Sequence, residues 1–200
     1  PGRAAGRHSL LMAASGARRG DVPRSQRQEK MLQQFDLAQV TVQSGRGGDG
    51  KVVPLPASLQ GLDRDDVGQP VPPFGGGRGG DVVLFVDVTV QTLLNLTAAL
   101  EGRKVLKAND GGHSEGLVNY RKQRRWAEEQ SVLQGIPESQ LNPHDAPPLR
   151  VGVPPGTVVK TQAGRLLADL VSPGDEVVVA EGGAGGLFLF RDPKDRSETA

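Results

Sequence analysis

The chain has 200 residues, no cysteine, 28 glycines, 15 prolines and a formal net charge of +1. Its 36% hydrophobic and 4% aromatic content is low for one core that spans the whole chain, so the length predicts one domain of ordinary size plus a tail. The lack of cysteine excludes disulfide frameworks, thiolate zinc sites and a cysteine nucleophile. No apolar run reaches the roughly 18 residues of a membrane span, and attraction to nucleic acid requires local charge clusters.

Residues 1–34 are predicted to form a basic tail outside the folded domain. No acidic residue precedes Asp21, while the segment is rich in serine, alanine and arginine. This composition is typical of an organelle transit peptide or its remnant, and a disordered basic tail of another origin remains an alternative. A short lead-in helix over residues 26–35 is also compatible with the sequence.

The rest of the chain predicts a mainly β fold. Alternating apolar residues predict a first strand in FDLAQVTVQS, and an apolar run predicts a strand from Asp81 to Val90. Residues 51–74 carry five prolines and favour extended or loop structure. A strand over RKVLKA, a strand over Leu149–Val153, a hairpin of GTVVKT with RLLADLV, and a strand over EVVVA complete the set. Residues 191–200 are charged and are expected to fray.

Three glycine runs interrupt this β pattern, and in each run the glycines recur at a spacing of three. Three residues make one turn of a polyproline II helix, in which a position without a side chain can face a neighbouring backbone. The runs therefore predict packed extended segments, with flexible linkers as the alternative. The glycines are Gly45, Gly47, Gly48, Gly50, Gly76, Gly77, Gly79, Gly80, Gly182, Gly183, Gly185 and Gly186.

One helix is predicted, from Asn119 as capping residue to Gln134, with Gly135 after its end. Its first half is basic and contains two aromatic side chains. Basic residues next to aromatic ones can neutralise phosphates and stack on bases, whereas the alternative is a solvated helix face with Trp126 packed against the domain. The RNA-binding candidates are Arg46, Lys51 and Arg78 near the glycine runs, and Arg121, Lys122, Arg124, Arg125 and Trp126 on the helix.

Two weaker signals point to other chemistry. GRGGDGK, residues 45–51, matches the start of a phosphate-binding P-loop, but Val52 stands where that loop needs a hydroxyl, and VVPLP cannot open an ordinary helix. His8, His113 and His144 lie far apart in sequence, so no metal site is predicted. Nothing resembles a nucleophile elbow, and no catalytic residue is predicted.

Taken together, several stretches resemble the N-terminal domain of the Obg family of GTPases. They occur in the order of that family and cover about residues 35–190, so we expect the domain there. The stretches are FDLAQVTVQSGRGGDGKV, FGGGRGGDVVLFVD with TLL, KANDGG, VGVPPGTVV, LLADL and GDEVVVAEGGAGGL, with a final Phe190.

The resemblance implies the Obg fold: a bundle of six glycine-rich polyproline II-type segments that projects from a small β-barrel or meander base. It also implies a role in assembly of the large ribosomal subunit, with that subunit and its rRNA as partners of a monomeric domain. No cofactor is expected in this chain; GTP and Mg²⁺ would belong to a GTPase domain after the 191–200 linker. The basic start fits an organellar protein, of the chloroplast stroma in preference to the mitochondrial matrix.

Two regions depart from the family pattern. Residues 52–69 are nearly neutral to acidic where the family usually has a basic stretch, and residues 113–148 form a longer, helix-prone insertion. The basic cluster of that insertion could replace the lost charge. The alternative function is a glycine-rich interaction or structural module that does not bind RNA.

Overall fold

The computed structural model describes residues 7–14, 37–54, 64–65, 71–93, 96 and 105–191. These residues contain ten strands and one α-helix. The strands are β1 (Arg7–Ala14), β2 (Leu37–Gln43), β3 (Lys51–Pro54), β4 (Val82–Val86), β5 (Val105–Lys107), β6 (Leu149–Val153), β7 (Thr157–Thr161), β8 (Leu166–Leu170), β9 (Glu176–Ala180) and β10 (Phe188–Arg191). The helix is α1 (Tyr120–Gln134), followed by a 3-10 turn at Glu138–Gln140.

The described strands form three sheets. The largest has the order β5-β2-β1-β7-β8, the second has the order β6-β4-β9, and β3 pairs with β10 in the third. The β2–β5, β4–β6 and β3–β10 pairs are parallel, and the remaining pairs are antiparallel. The mainly β prediction is confirmed, but these strands do not close into a barrel, because β8 and β9 are neighbours without a hydrogen-bonded ladder between them.

The apolar core lies between the two larger sheets, which we call the base. Strand β2 alternates, with its buried residues on one face, whereas β4, the central strand of its sheet, is buried on both faces. Leu84 of β4 is fully buried. Core side chains of both sheets meet there: Leu10, Met12, Val40, Val42, Val82, Leu84, Val86, Val153, Val159, Leu170 and Val179.

Part of the predicted basic tail belongs to this base, so that part of the prediction over 1–34 is wrong. Strand β1 lies between β2 and β7, and it pairs antiparallel with both. Leu10 and Met12 are 1% and 0% exposed, so β1 contributes two core side chains. The arginine-rich composition concealed a short apolar run whose partners lie elsewhere in the chain. The rest of the predicted tail, the whole of the predicted lead-in helix and residues 192–200 lie outside the described residues.

The strand predicted from Asp81 to Val90 is shorter in the structure and ends at Val86. The cause is a turn at Asp87, whose Oδ1 accepts hydrogen bonds from the Thr89 backbone N–H at 2.9 Å and from the Thr89 hydroxyl at 2.7 Å. These bonds replace the next rung of the ladder. The same bonds, that of the hydroxyl first, hold the pKa of Asp87 below its ordinary value.

Helix α1 begins and ends next to two residues in the left-handed conformation. Asn119 has φ 57°, outside the extended backbone region of a capping residue, and its side-chain oxygen makes no cap, so the predicted capping bond is wrong. Its Nδ2 donates to Glu115 Oε2. Gly135 has φ 67° and donates its N–H to the Ser131 carbonyl, as the predicted C-terminal glycine should. Tyr120, Gln123 and Ala127 form the buried side of the helix.

Candidate nucleic-acid interface

Five extended segments among the described residues pack side by side, and we call them the glycine bundle. They are residues 45–50, 75–81, 109–114, 144–149 and 182–187. They carry neither helix nor strand assignment up to the start of β6, and each adjoins a base strand at one end: β2, β4, β5, β6 and β9 respectively. The bundle therefore has a base end and an outer end.

The 75–81 segment is the centre of the bundle, because it bonds to all four other segments. Its backbone accepts from Gly45 and Gly48, and it donates to the carbonyls of Asn109 and Gly112. It also donates to the 182–187 segment at Gly183 and Gly186, and it accepts from the 144–149 segment. The distances between nitrogen and oxygen in these bonds are 2.8–2.9 Å. Although the 75–81 segment belongs to no sheet, its backbone groups form hydrogen bonds with four neighbouring segments.

The bonds recur every third residue, as the glycine spacing predicts. Gly45 and Gly48 donate to the carbonyls of Gly80 and Gly77, so these two segments are antiparallel. Gly183 and Gly186 donate to Gly45 and Gly48, in parallel. A repeat of three residues is the period of polyproline II, and each turn places one residue against a given neighbour.

Close approach of main chains explains why these positions are glycine. A Cβ added at Gly77 would lie far closer than 3.0 Å to the His144 carbonyl, and one added at Gly182 would lie equally close to the Gly79 carbonyl. Both obstacles are backbone atoms that a rotamer change cannot move. An added Cβ would also clash with backbone atoms at Gly45, Gly47, Gly48, Gly50, Gly76, Gly79, Gly80, Gly111, Gly185 and Gly186. Gly183 joins the bundle through its bonds to Gly45 and Gly79.

Side chains on the bundle stand at the positions between the glycines and are exposed. Arg46 and Arg78 lie there, but so do several carboxylates. The Arg78 guanidinium pairs with Asp81 at 2.8 Å. The structure thus places two predicted RNA-binding arginines on the bundle surface, at positions where acidic groups offset part of their charge.

Asp110 on the neighbouring segment holds the bundle together through its carboxylate. The Arg46 backbone N–H donates to its Oδ1 at 2.8 Å, and the Lys107 ammonium lies 3.4 Å from its other oxygen. The bond from Arg46 is the main cause that holds the pKa of Asp110 below its ordinary value, and Lys107 adds to it. This residue was not among the predicted site residues, because its partner lies 64 positions away.

The P-loop-like stretch does not form a phosphate cradle. A P-loop binds phosphate through free backbone N–H groups, followed by a helix. Here Gly45, Gly48 and Lys51 donate to carbonyls, Arg46 donates to Asp110, and Asp49 donates to His113 Nδ1. Strand β3 follows in place of a helix. Five of the seven backbone donors of residues 45–51 are therefore used within the protein.

Helix α1 lies at the outer end of the bundle. The Ser114 hydroxyl donates to the Phe74 carbonyl at 2.7 Å, and the Tyr120 hydroxyl donates to the Val71 carbonyl at 3.3 Å. Lys51, exposed at the start of β3, lies against Gly116 just before the helix. Among the RNA-binding candidates near the glycine runs, Lys51 thus lies close to the start of the helix.

The four helix cations do not share one environment. Arg121, Lys122 and Arg125 are exposed, whereas Arg124 is partly buried and lies 3.5 Å from Glu138 of the 3-10 turn. The position of Arg124 indicates that it anchors the helix. The positive surface of α1 is therefore formed by three side chains.

Trp126 lies at the margin of the buried face and is 36% exposed. It borders a groove between α1 and the 144–149 segment. Sequence reasoning identified the tryptophan but missed the groove, because the segment on its other side contains prolines and no glycine. Only the tertiary structure shows that the 144–149 segment lies beside the 75–81 segment.

Within the described part of the chain, no group of three or more His, Asp or Glu residues could hold a metal ion. None of the helices in that part is long and apolar enough to cross a membrane.

The comparisons with known proteins agree with this architecture. Residues 113–190 match the family model described as GTP1/OBG. The chain is 34% identical over 188 residues to the probable GTP-binding protein OBGC2 of Oryza sativa subsp. japonica. The matched region covers 83% of this chain and 33% of that protein. It is 36% identical over 156 residues to the GTPase Obg of a Synechococcus strain, covering 76% of this chain and 32% of the relative.

A similar match links the chain to the GTPase Obg of an Anaeromyxobacter strain, at 36% identity over 155 residues, 76% of this chain and 34% of the relative. The chain thus spans about a third of the length of these relatives. A glycine bundle on a β base makes this structure a glycine-rich β domain. Among such domains, the matches support an Obg-family N-terminal domain.

Proposed function

We propose that this chain is the rRNA-binding domain of an Obg-type GTPase and takes part in assembly of the large ribosomal subunit. The observation that carries the proposal is the position of three exposed cations, Arg121, Lys122 and Arg125, at the outer end of a hydrogen-bonded bundle. Because the backbone that carries them is already hydrogen-bonded, contact with phosphates requires ordering of the side chains alone. Arg46, Lys51 and Arg78 would add further phosphate contacts.

The domain organisation belongs to the same proposal. Residues 35–190, together with strand β1, form the Obg domain, and residues 191–200 lead to a GTPase domain, which would bind GTP with Mg²⁺. Relatives named as GTP-binding proteins that are about three times as long support this arrangement. The domain would act as a monomer on the large subunit.

An organellar location, in the chloroplast stroma in preference to the mitochondrial matrix, completes the proposal. The arginine-rich start and the similarity to a rice protein support it. Strand β1 limits the length of a cleavable leader, because a leader that ended after residue 14 would remove the strand between β2 and β7. A cleavable leader within this chain would therefore have to end before Arg7.

One observation favours the second candidate, a structural module that does not bind RNA. Arg78, Lys107 and Arg124 each lie within 4 Å of a carboxylate, so part of the basic charge of the described residues is offset inside the domain. The three exposed cations of α1 would then be the main group at the outer end of the bundle that attracts a phosphate backbone. The two candidates therefore differ in what the loss of these cations would do.

Co-sedimentation of the chain with purified large ribosomal subunits across a salt series separates the two candidates. The test variant carries Arg121→Ala, Lys122→Ala and Arg125→Ala, and the matched control carries Lys160→Ala, Arg165→Ala and Arg191→Ala at exposed positions outside α1. We expect saturable binding that salt weakens, a loss of at least about tenfold in affinity for the test variant, and little change for the control. No binding at low salt would contradict the proposal.

A further inference from the structure

The groove beside Trp126 has the size and lining of a small ligand site. Its volume is about 370 Å³, and it runs between α1 and the chain from the 3-10 turn to β6. Apolar surface comes from Trp126 and Pro147, and polar groups come from Gln134, Gln140, Asn142 and Asp145. A flat aromatic surface with polar groups at its margin is the combination that unpaired nucleobases need.

Two polar side chains of this groove are held in place by the glycine bundle. Asn142 Nδ2 donates to the Gly76 carbonyl at 3.2 Å, and its Oδ1 accepts from the His144 N–H at 3.0 Å. Asp145 Oδ1 accepts from the Arg78 N–H at 2.6 Å. The oxygens of both side chains are thus positioned before a ligand arrives, and they can accept bonds from the amino or imino groups of a base.

Cations stand on one side of the tryptophan. Lys122 precedes Trp126 by four residues, one helical turn, and is exposed. Arg125 directly precedes Trp126 and is also exposed, about 100° around the helix from it. Asp145 within the groove repels phosphate, so a nucleotide would enter with its base in the groove and its phosphates toward Lys122. This separation of charge fits a nucleotide better than an acidic peptide, whose carboxylates would meet Asp145.

We propose that this groove binds one unpaired RNA base, stacked on Trp126 with its edge facing Asn142 and Asp145. The inference rests on the proposed function and specifies the part of the RNA that is recognised, a nucleotide of a loop or single strand. A base paired within a duplex presents neither a free face nor a free edge to the groove.

The chain contains a single tryptophan, so its tryptophan emission reports on this groove. The full chain is titrated at low salt with a short labelled single-stranded RNA and with the same RNA as a duplex, and anisotropy of the label measures binding independently. We expect the single strand to quench the tryptophan emission and the duplex to leave it nearly unchanged.

Trp126→Leu tests the contribution of the ring to affinity. Base stacking on an aromatic side chain contributes about 1–3 kcal/mol, so we expect single-strand affinity, measured by anisotropy, to fall roughly tenfold. Leu133→Ala is the control, because Leu133 is 77% exposed on the same helix and lies outside the groove. Circular dichroism melting checks that both variants keep the fold.

The outcomes distinguish this inference from the proposed function. RNA binding by anisotropy without quenching, and with Trp126→Leu unchanged, overturns the inference and leaves the RNA-binding function in place. No RNA or ribosome binding by the unmodified chain overturns both. Equal quenching by an acidic peptide would assign the groove to a protein partner and overturn the inference as well.

Discussion

The glycine bundle and the base are held together by different means. In the base, apolar side chains of two sheets fill the space between main chains, and Leu84 is fully buried among them. In the bundle, the main chains themselves touch, and there is no room for a side chain at Gly77. The base is stabilised mainly by burial of apolar surface, and the bundle by close packing and by backbone hydrogen bonds between its segments.

This difference determines which positions each region leaves open to change. A core side chain can be shortened at a moderate cost, because its neighbours relax in part. A bundle glycine cannot be enlarged without separating two backbones. Some outward side chains of the bundle, such as that of Asp110, bond to a neighbouring segment, whereas others, such as that of Arg46, are exposed and available for binding.

The largest expected effect comes from Gly77→Ala in the bundle. Overpacking usually costs about 1–3 kcal/mol, but here the obstacle is the His144 main chain, so we expect a loss of at least about 4 kcal/mol in the free energy of unfolding. Urea denaturation measures it. The control is Gly164→Ala, at φ 84° with no atom within 4 Å of the added Cβ, which should cost only about 1–2 kcal/mol of backbone strain. Equal losses for the two variants would contradict the close packing of the bundle.

The second effect is that of Leu84→Ala in the base. Loss of a fully buried leucine leaves a cavity, so we expect a fall of about 3 kcal/mol in the free energy of unfolding. Val178→Ala on β9, where the side chain is half exposed, should change it by less than about 0.5 kcal/mol. If the two variants lost the same stability, the core between the sheets would not be the main support of the base.

The smallest effect concerns the pH dependence of the bundle through Asp110. Its pKa is lowered in the folded state, so it stabilises the fold above the unfolded pKa of about 4, and this contribution is lost as pH falls through the folded pKa. In Asp110→Asn the side chain still accepts from Arg46 but does not titrate. We expect the variant to be less stable than the unmodified chain at pH 7, with a difference that shrinks toward pH 3.

Denaturation of both proteins at the two pH values measures this difference. Asp87→Asn provides the comparison in the base, because the pKa of Asp87 is lowered by Thr89 in the same direction. A difference that grows on acidification would contradict the assigned role of Asp110.

Much of the base could be predicted from local pattern. Strand β2 alternates, β4 is an apolar run, and the β7–β8 hairpin has a turn at Gly164 with φ 84°, so short-range signals located each of them. Strand β1 was missed because its partners β2 and β7 lie about 30 and 150 residues away, while its neighbours in sequence are those of a basic tail. Local composition carries no information about such pairing.

In the candidate site, too, local sequence predicted some features, whereas others depend on segments far apart in the chain. Sequence grouped Arg121, Lys122, Arg124 and Arg125 as one basic cluster next to Trp126. The structure assigned Arg124 to Glu138, left the other three exposed, and placed the 144–149 segment opposite the tryptophan. The groove depends on a segment whose sequence gives no sign of its neighbours.

The sequence by itself determined the period of three in the glycine runs, the alternation of the main strands and the position of α1, because each depends on residues a few positions apart. Only the tertiary structure decided which main chains meet in the bundle, that β1 joins the base, and that Trp126 borders a groove. A glycine shows that some backbone must approach closely, but which one depends on contacts between segments up to about 140 residues apart.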